Sequence, residues 1–344
     1  MKVRGYITHK PEELHSDCAD YFAINTATKK VAVADGVGQS IFPLEWAKLL
    51  VTSFIHEKWS NFNDVTEQQA EWLSDVVDYI KKQQEAGEVT FIVENSIAER
   101  DGAGSTFCGF AAINKSNWSC DILGDTCLIK YTDGQIEICT SQTSLDNNRP
   151  DYYDSFKPKR GEIAHFEGKL KPNDFLLLVS DPFSGLIYQR LQTDASSAVK
   201  LINELINIAS DLDFCELVKR WREFEGMHID DSTVIIIEYD GKDAFTDDTE
   251  LTLEQKVEIE SMNNQENTNQ GLNVGKSINK TTFIVYVDQA YEKFMSLENT
   301  ISKKEQNSFF RYLLGFFDKK GKKYPLFKEY FTKFWMEIAD DLFD

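Results

Sequence analysis

Aspartates stand at the ends of several apolar, strand-like runs: Asp20 in "CADYFAI", Asp35 in "VAVADG", Asp125 in "DILGDT", Asp181 in "LLLVSD", and Asp230 and Asp231 in "HIDDSTVIII". One such residue is a turn, and Asp-Gly is a common turn pair. Several of them, on separate strands, have a second reading. Carboxylates gathered at one edge of a sheet repel one another, so some stay protonated unless a cation neutralises them. Hard divalent ions such as Mg2+ and Mn2+ take oxygen ligands and keep several waters. Gly36, directly after Asp35, leaves room for a backbone carbonyl to approach an ion. The pattern is a candidate site for one or more hard cations, provided that these strand ends converge.

Other chemistries fit the residues less well. The histidines, His9, His15, His56, His165 and His228, show no H-x-x-x-H or similar zinc spacing. There is no G-x-S-x-G turn for a Ser–His–Asp triad. "GVGQS" lacks the third glycine of a dinucleotide loop, and "DGAGST", from Asp101 to Thr106, lacks the lysine of a P-loop.

The elements that must position the aspartates follow from the hydrophobic pattern. "YFAI" and "KVAVAD" read as a hairpin joined by "NTATKK". "PLEWAKLLVTSFIHEKW" reads as a helix with Leu44, Ala47, Val51 and Phe54 on one face, and Pro43 suits its first turn. "TEQQAEWLSDVVDYIKKQQ" reads as a second helix. From Ser105 the period changes, and "STFCGFAAIN", "WSCDIL", "TCLIKYT" and "QIEICT" predict an antiparallel meander. The polar stretch from Ser141 to Lys171 predicts a long loop or flap. "DFLLLVSD" predicts a strand, "SSAVKLINELINIAS" a helix and "STVIIIEYD" a buried strand.

The composition changes after Asp240. Residues 241–281 are acidic and rich in Asn and Gln, the signature of a linker, and 282–344 regain aromatic residues. Phe331, Phe334, Trp335, Ile338 and Leu342 make an apolar helical stripe there, expected to pack within its own unit or on the main domain. The predicted organisation is a main domain over 1–240, a linker over 241–281 and a small helical unit over 282–344.

The chain has 344 residues, of which 42% are hydrophobic, enough for a packed core. Its formal net charge of −20 argues against binding nucleic acid through phosphates, which takes clustered Lys and Arg. Six cysteines without a C-x-x-C pair, several inside apolar runs, fit a reducing compartment better than a disulfide framework. With no apolar run long enough for a bilayer and no apolar signal core, a cytoplasmic protein with no membrane partner is expected.

The order of the pieces resembles the protein phosphatase 2C family, the metal-dependent Ser/Thr protein phosphatases, in a bacterial-type form with an extra C-terminal region. "CADYFAI", "ADGVGQS", "AGSTF", "LGDTCLIKYTDG", "VSDPFSG" and "DDSTVIII" follow the family's motif order over about the first 240 residues. The resemblance implies an α+β fold: a four-layer α-β-β-α sandwich of two antiparallel sheets with two or three Mn2+ or Mg2+ ions in a cleft at one edge. It implies that Asp35 bridges two ions and that Gly36 offers its carbonyl. Asp181 and Asp230 would complete one ion, Asp20 would hold waters on another, and Asp125 matches the position of a third metal. The activity implied is hydrolysis of phosphoserine or phosphothreonine in a phosphoprotein by a metal-bridging water, opposite a cognate Ser/Thr kinase.

The match departs from the family at four places. His15 stands where an arginine grips phosphate, with Lys10 or Arg4 as substitutes. Val37 stands where some members carry a histidine acid. Pro182 replaces a glycine and stiffens the loop expected after Asp181, and Gln39 and Ser40 replace the usual glycine and small or His residues. None removes a core carboxylate. The other readings are a catalytically silent phosphatase-like binding or regulatory module, and an acidic two-metal nuclease, which the net charge disfavours. The C-terminal unit is expected to recognise the kinase or the substrate.

Overall fold

The computed structural model describes residues 1–249, except 12, 14–16, 39, 88–89 and 146–149 and the side chain of Ile92. His15, Gln39, the C-terminal unit and most of the expected linker lie outside the described residues. Among the described residues, 1–76 and 100–249 belong to one compact unit, and 77–99 belong to another. Within 77–99, the Thr90 hydroxyl donates to the Glu94 carboxylate at 2.7 Å, at the start of the helix α3 (Phe91–Glu99).

The fold is α+β. Among the described residues, one sheet has the order β13 (Thr246–Asp247), β1 (Lys2–Thr8), β12 (Ser232–Glu238), β11 (Phe175–Val179), β7 (Cys127–Thr132) and β8 (Gln135–Cys139). The other has the order β10 (Ala164–Lys169), β6 (Asn117–Leu123), β5 (Phe107–Ala112), β3 (Lys30–Asp35) and β2 (Asp20–Asn25). Their pairings are antiparallel apart from β1 with β13. A short ribbon pairs β4 (Gly104–Ser105) with β9 (Tyr153–Asp154).

Strands that are apolar on both faces dictate the layering, because each face must be covered. Leu176, Leu178, Ile235 and Ile237 pack between the sheets against Val31, Val33, Phe110 and Ile122. Their alternates Leu177, Val179, Val234 and Ile236 pack on the other face with Phe183, Leu201 and Phe214. Those three belong to α4 (Asp181–Thr193), α5 (Ala195–Ile206) and α6 (Asp211–Arg220). On the outer side of the second sheet, α1 (Pro43–Ile55) buries Trp46, Ala47, Leu50 and Val51, and its Phe54 ring meets Phe107 of β5 at 5.5 Å. Trp72 of α2 (Thr66–Glu85) meets Trp46 edge-on at 6.4 Å. Helices, sheet, sheet and helix make the expected four layers. Five of the six cysteines are buried, as small apolar residues in the core.

Three sequence expectations need correction, and one strand was not anticipated. The expected meander is split: β5–β6 lie in one sheet and β7–β8 in the other. The chain crosses between sheets at the turn Gly124–Asp125, where Gly124 has φ 98°. The stretch 141–171 holds β9 and the edge strand β10 rather than only a loop, its polar alternation being that of an edge with one wet face. The segment after Asp181 is not a loop. It is the first turn of α4, where Pro182 costs no hydrogen bond. The N-terminal strand β1, read as neither strand nor helix, pairs with β12 along its whole length. Its "KVRGYIT" pattern is interrupted by charge and glycine, and only the register with β12 completes it.

Candidate metal centre

Asp20 opens β2 and Asp35 closes β3, and the two are direct partners across the hairpin. Like charges placed opposite each other destabilise a strand pair. Asp20 is 1% exposed, while Asp35 is partly buried. The backbone around Asp35 is fixed on both sides. Its carbonyl accepts from the Ser105 hydroxyl and the Thr106 amide, each at 2.9 Å. The next residue, Gly36, donates its amide to the Ala19 carbonyl at 3.1 Å. A Cβ on Gly36 would stand 2.6 Å from that carbonyl oxygen and 2.9 Å from that of Pro43. Close approach of three backbone segments therefore requires the glycine here.

The other aspartates arrive from the first sheet. Asp181 follows β11 as the first residue of α4, where the positive end of the helix dipole favours a carboxylate. Asp125 sits in the crossover turn, and the Ser184 hydroxyl of α4 donates to its carbonyl at 2.9 Å. Asp20 ties the two sheets together: its Oδ2 accepts from the Thr233 hydroxyl of β12 at 2.7 Å. Asp231 makes a second tie, accepting from the amides of Ala19 at 2.8 Å and Lys10 at 3.0 Å. The neighbouring Asp230 lies against Lys10, whose Nζ is 2.7 Å from its Oδ1.

The electrostatics record this convergence. Burial, and then repulsion from Asp231, pushes the Asp20 carboxyl up to about 7, with the Thr233 hydrogen bond opposing. Burial pushes Asp125 up to about 6. Asp35 is raised well above the carboxylate range by burial and by Asp20, Asp181, Asp125 and Asp230. Asp181 is raised by burial and by Asp125, Asp230 and Asp20. Asp20, Asp35, Asp125, Asp181 and Asp230 thus feel one another, which is what groups at one sheet edge do.

A divalent cation fits these residues. Asp20 Oδ1, Asp125 Oδ1 and Asp181 Oδ1 are buried oxygens with no hydrogen-bond partner. Each such oxygen costs about 1–3 kcal/mol if left unsatisfied. An all-oxygen carboxylate set is the donor set of Mg2+ and Mn2+. Asp181, His228 and Asp230 also present one ligand atom each, all within 4.8 Å of one another.

Three residues need separate comment. His228 has no second histidine at zinc spacing in the sequence, yet it stands two residues before Asp230, a short spacing that the sequence itself displays. Arg222 was missed: its guanidinium donates to the Asp230 carbonyl at 2.5 Å and to the Ser232 hydroxyl at 3.0 Å. Arg4 is committed elsewhere, donating to the carbonyls of Ile206 and Ile208 at the end of α5, so it does not substitute for a phosphate grip. Lys10 stays at the cleft.

No family model and no curated protein matches the sequence. Solved structures of similar shape include the S. agalactiae serine/threonine phosphatase, at 16% identity and TM-score 0.43, over 68% of this chain and 98% of that one. Serine/threonine phosphatase Stp1 from Staphylococcus aureus is similar at 15% identity and TM-score 0.45, over 69% and 94%. The catalytic domain of serine threonine protein phosphatase PstP, solved with two manganese ions, is similar at 14% identity and TM-score 0.39, over 69% and 97%.

Proposed function

We propose that this chain is a Mn2+- or Mg2+-dependent phosphoprotein phosphatase acting on phosphoserine or phosphothreonine. The observation that carries the reading is the convergence of Asp20, Asp35, Asp125, Asp181 and Asp230 with three buried, unpartnered carboxylate oxygens among them. The order of the sequence motifs around these residues supports the same reading.

When bound, such cations would acidify a water and offset the charge on phosphoryl oxygens. The chain's own residues have simpler tasks. Asp35, fixed through its carbonyl by Ser105 and Thr106, is the candidate bridging carboxylate, and Gly36 keeps the backbone close. Asp181 and Asp230 hold the other side, with Asp20 and Asp125 as further ligands. Asp231 and Arg222 position Asp230 without facing the ion themselves. Val37, 38% exposed beside Asp35, offers no proton, so the leaving group takes one from solvent.

Lys10 gives the second reading its one specific support. Its ammonium, 2.7 Å from Asp230, is an internal counter-ion that partly neutralises the cluster without a metal. A silent phosphatase-like binding module would need no more. Phosphate release from p-nitrophenyl phosphate and a phosphothreonine peptide, with Mn2+ at neutral to alkaline pH, separates the two. Turnover supports the phosphatase, and Mn2+ binding without turnover leaves the silent module.

A further inference from the structure

The histidine nearest the carboxylates differs from the others in what it touches. Among the described residues, His9 Nδ1 pairs with the Lys10 carbonyl at 2.8 Å, His56 with the Asn25 amide at 3.4 Å, and His165 with Asp121 at 2.8 Å. Among the described residues, no hydrogen bond or ion pair engages His228. Its ring nitrogen nevertheless lies within 4.8 Å of oxygens of both Asp181 and Asp230. With no hydrogen bond joining them, such proximity suits groups that meet through an ion.

The segment carrying His228 is held in place from both ends. Met227 is 3% exposed and its amide donates to the Trp221 carbonyl at 3.1 Å. Arg222 grips the Asp230 carbonyl, and Asp231 is bonded to Ala19 and Lys10. His228 itself is exposed. An independent sign that a ligand belongs here is the buried Asp181 Oδ1, which lacks any partner.

We propose that His228 is a nitrogen ligand to the cation held by Asp181 and Asp230. It biases that position toward ions that accept nitrogen, Co2+ and Zn2+ most and the harder Mn2+ still in preference to Mg2+. Imidazole suits the transition ions, whereas Mg2+ prefers oxygen and gives up water reluctantly. The inference rests on the metal-centre reading above but adds a ligand and a selectivity to it.

The test is pulsed electron paramagnetic resonance of the full chain loaded with Mn2+, with natural-abundance and 15N-labelled histidine, alongside calorimetry with Mn2+ and with Mg2+. The expected wild-type signal contains a histidine nitrogen coupling that changes with the label and disappears in His228→Ala, which still binds Mn2+. The same variant should lower the preference for Mn2+ over Mg2+ by about tenfold or more, since even an outer partner of a ligand is worth about that much. Mn2+ bound to the wild type without histidine coupling overturns the role of His228 and leaves the carboxylate centre standing. Coupling that persists in His228→Ala overturns it equally. A wild type that binds no Mn2+ overturns both.

Discussion

Asp20 and Asp35 are direct cross-strand partners at the open end of the β2–β3 hairpin, with Asp20 almost wholly buried. A pair of carboxylates in that position strains the metal-free fold. The strain is electrostatic, so pH should reveal it.

Without metal, stability should fall as pH rises from about 4 to about 7. The folded Asp20 and Asp125 carboxyls are raised to about 7 and about 6 from 3.8, and burial and neighbouring carboxylates raise Asp35 and Asp181 as well. The native state therefore keeps protons that the unfolded chain has released. The stabilisation is fully present below the unfolded pKa and is lost as pH climbs through the folded ones. The change is on the order of a few kcal/mol, since one pKa unit is about 1.4 kcal/mol. Urea midpoints in chelator at pH 5 and pH 7.5 check this: the midpoint should drop, Mn2+ should restore it, and Asp20→Asn should flatten the dependence. A midpoint that rises over this interval contradicts the clustering.

Gly36→Ala should disturb the fold and the centre together. The added methyl would stand 2.6 Å and 2.9 Å from two backbone oxygens, which cannot rotate away. Such overpacking costs about 1–3 kcal/mol. Thermal unfolding and Mn2+ calorimetry on one preparation should show both a lower midpoint and weaker binding. Parental values in both would mean that the backbone there has slack.

Lys10→Met should destabilise the metal-free chain at neutral pH by about 1–3 kcal/mol, because it leaves Asp230 and the buried Asp231 without their ammonium. Added Mn2+ should recover part of that loss. An unchanged urea midpoint would show that the two amides on Asp231 suffice alone.

The sequence carried the layers well because β11 and β12 are apolar on both faces and α1 and α5 keep a helical period. Asp35, Asp125, Asp181 and Asp230 were legible for a related reason: each interrupts an apolar run at its end. What the sequence withheld was long-range. The register that puts Thr233 on Asp20, and the bond that puts Asp231 on Ala19, join residues more than 200 positions apart. The sheet crossover at Gly124–Asp125 looked like an ordinary hairpin turn because turn chemistry does not say which sheet comes next. Arg222 was hidden because it lies in a π-helical turn, Trp221–Glu225, whose pattern points it nowhere in particular.

The central claim is that these aspartates hold divalent cations, and calorimetric titration of the full chain with Mn2+ tests it most directly. The account predicts saturable binding of two or three ions by the wild type and its loss in Asp35→Asn. A wild type that binds no Mn2+, or an Asp35→Asn variant that binds as the wild type does, would contradict it.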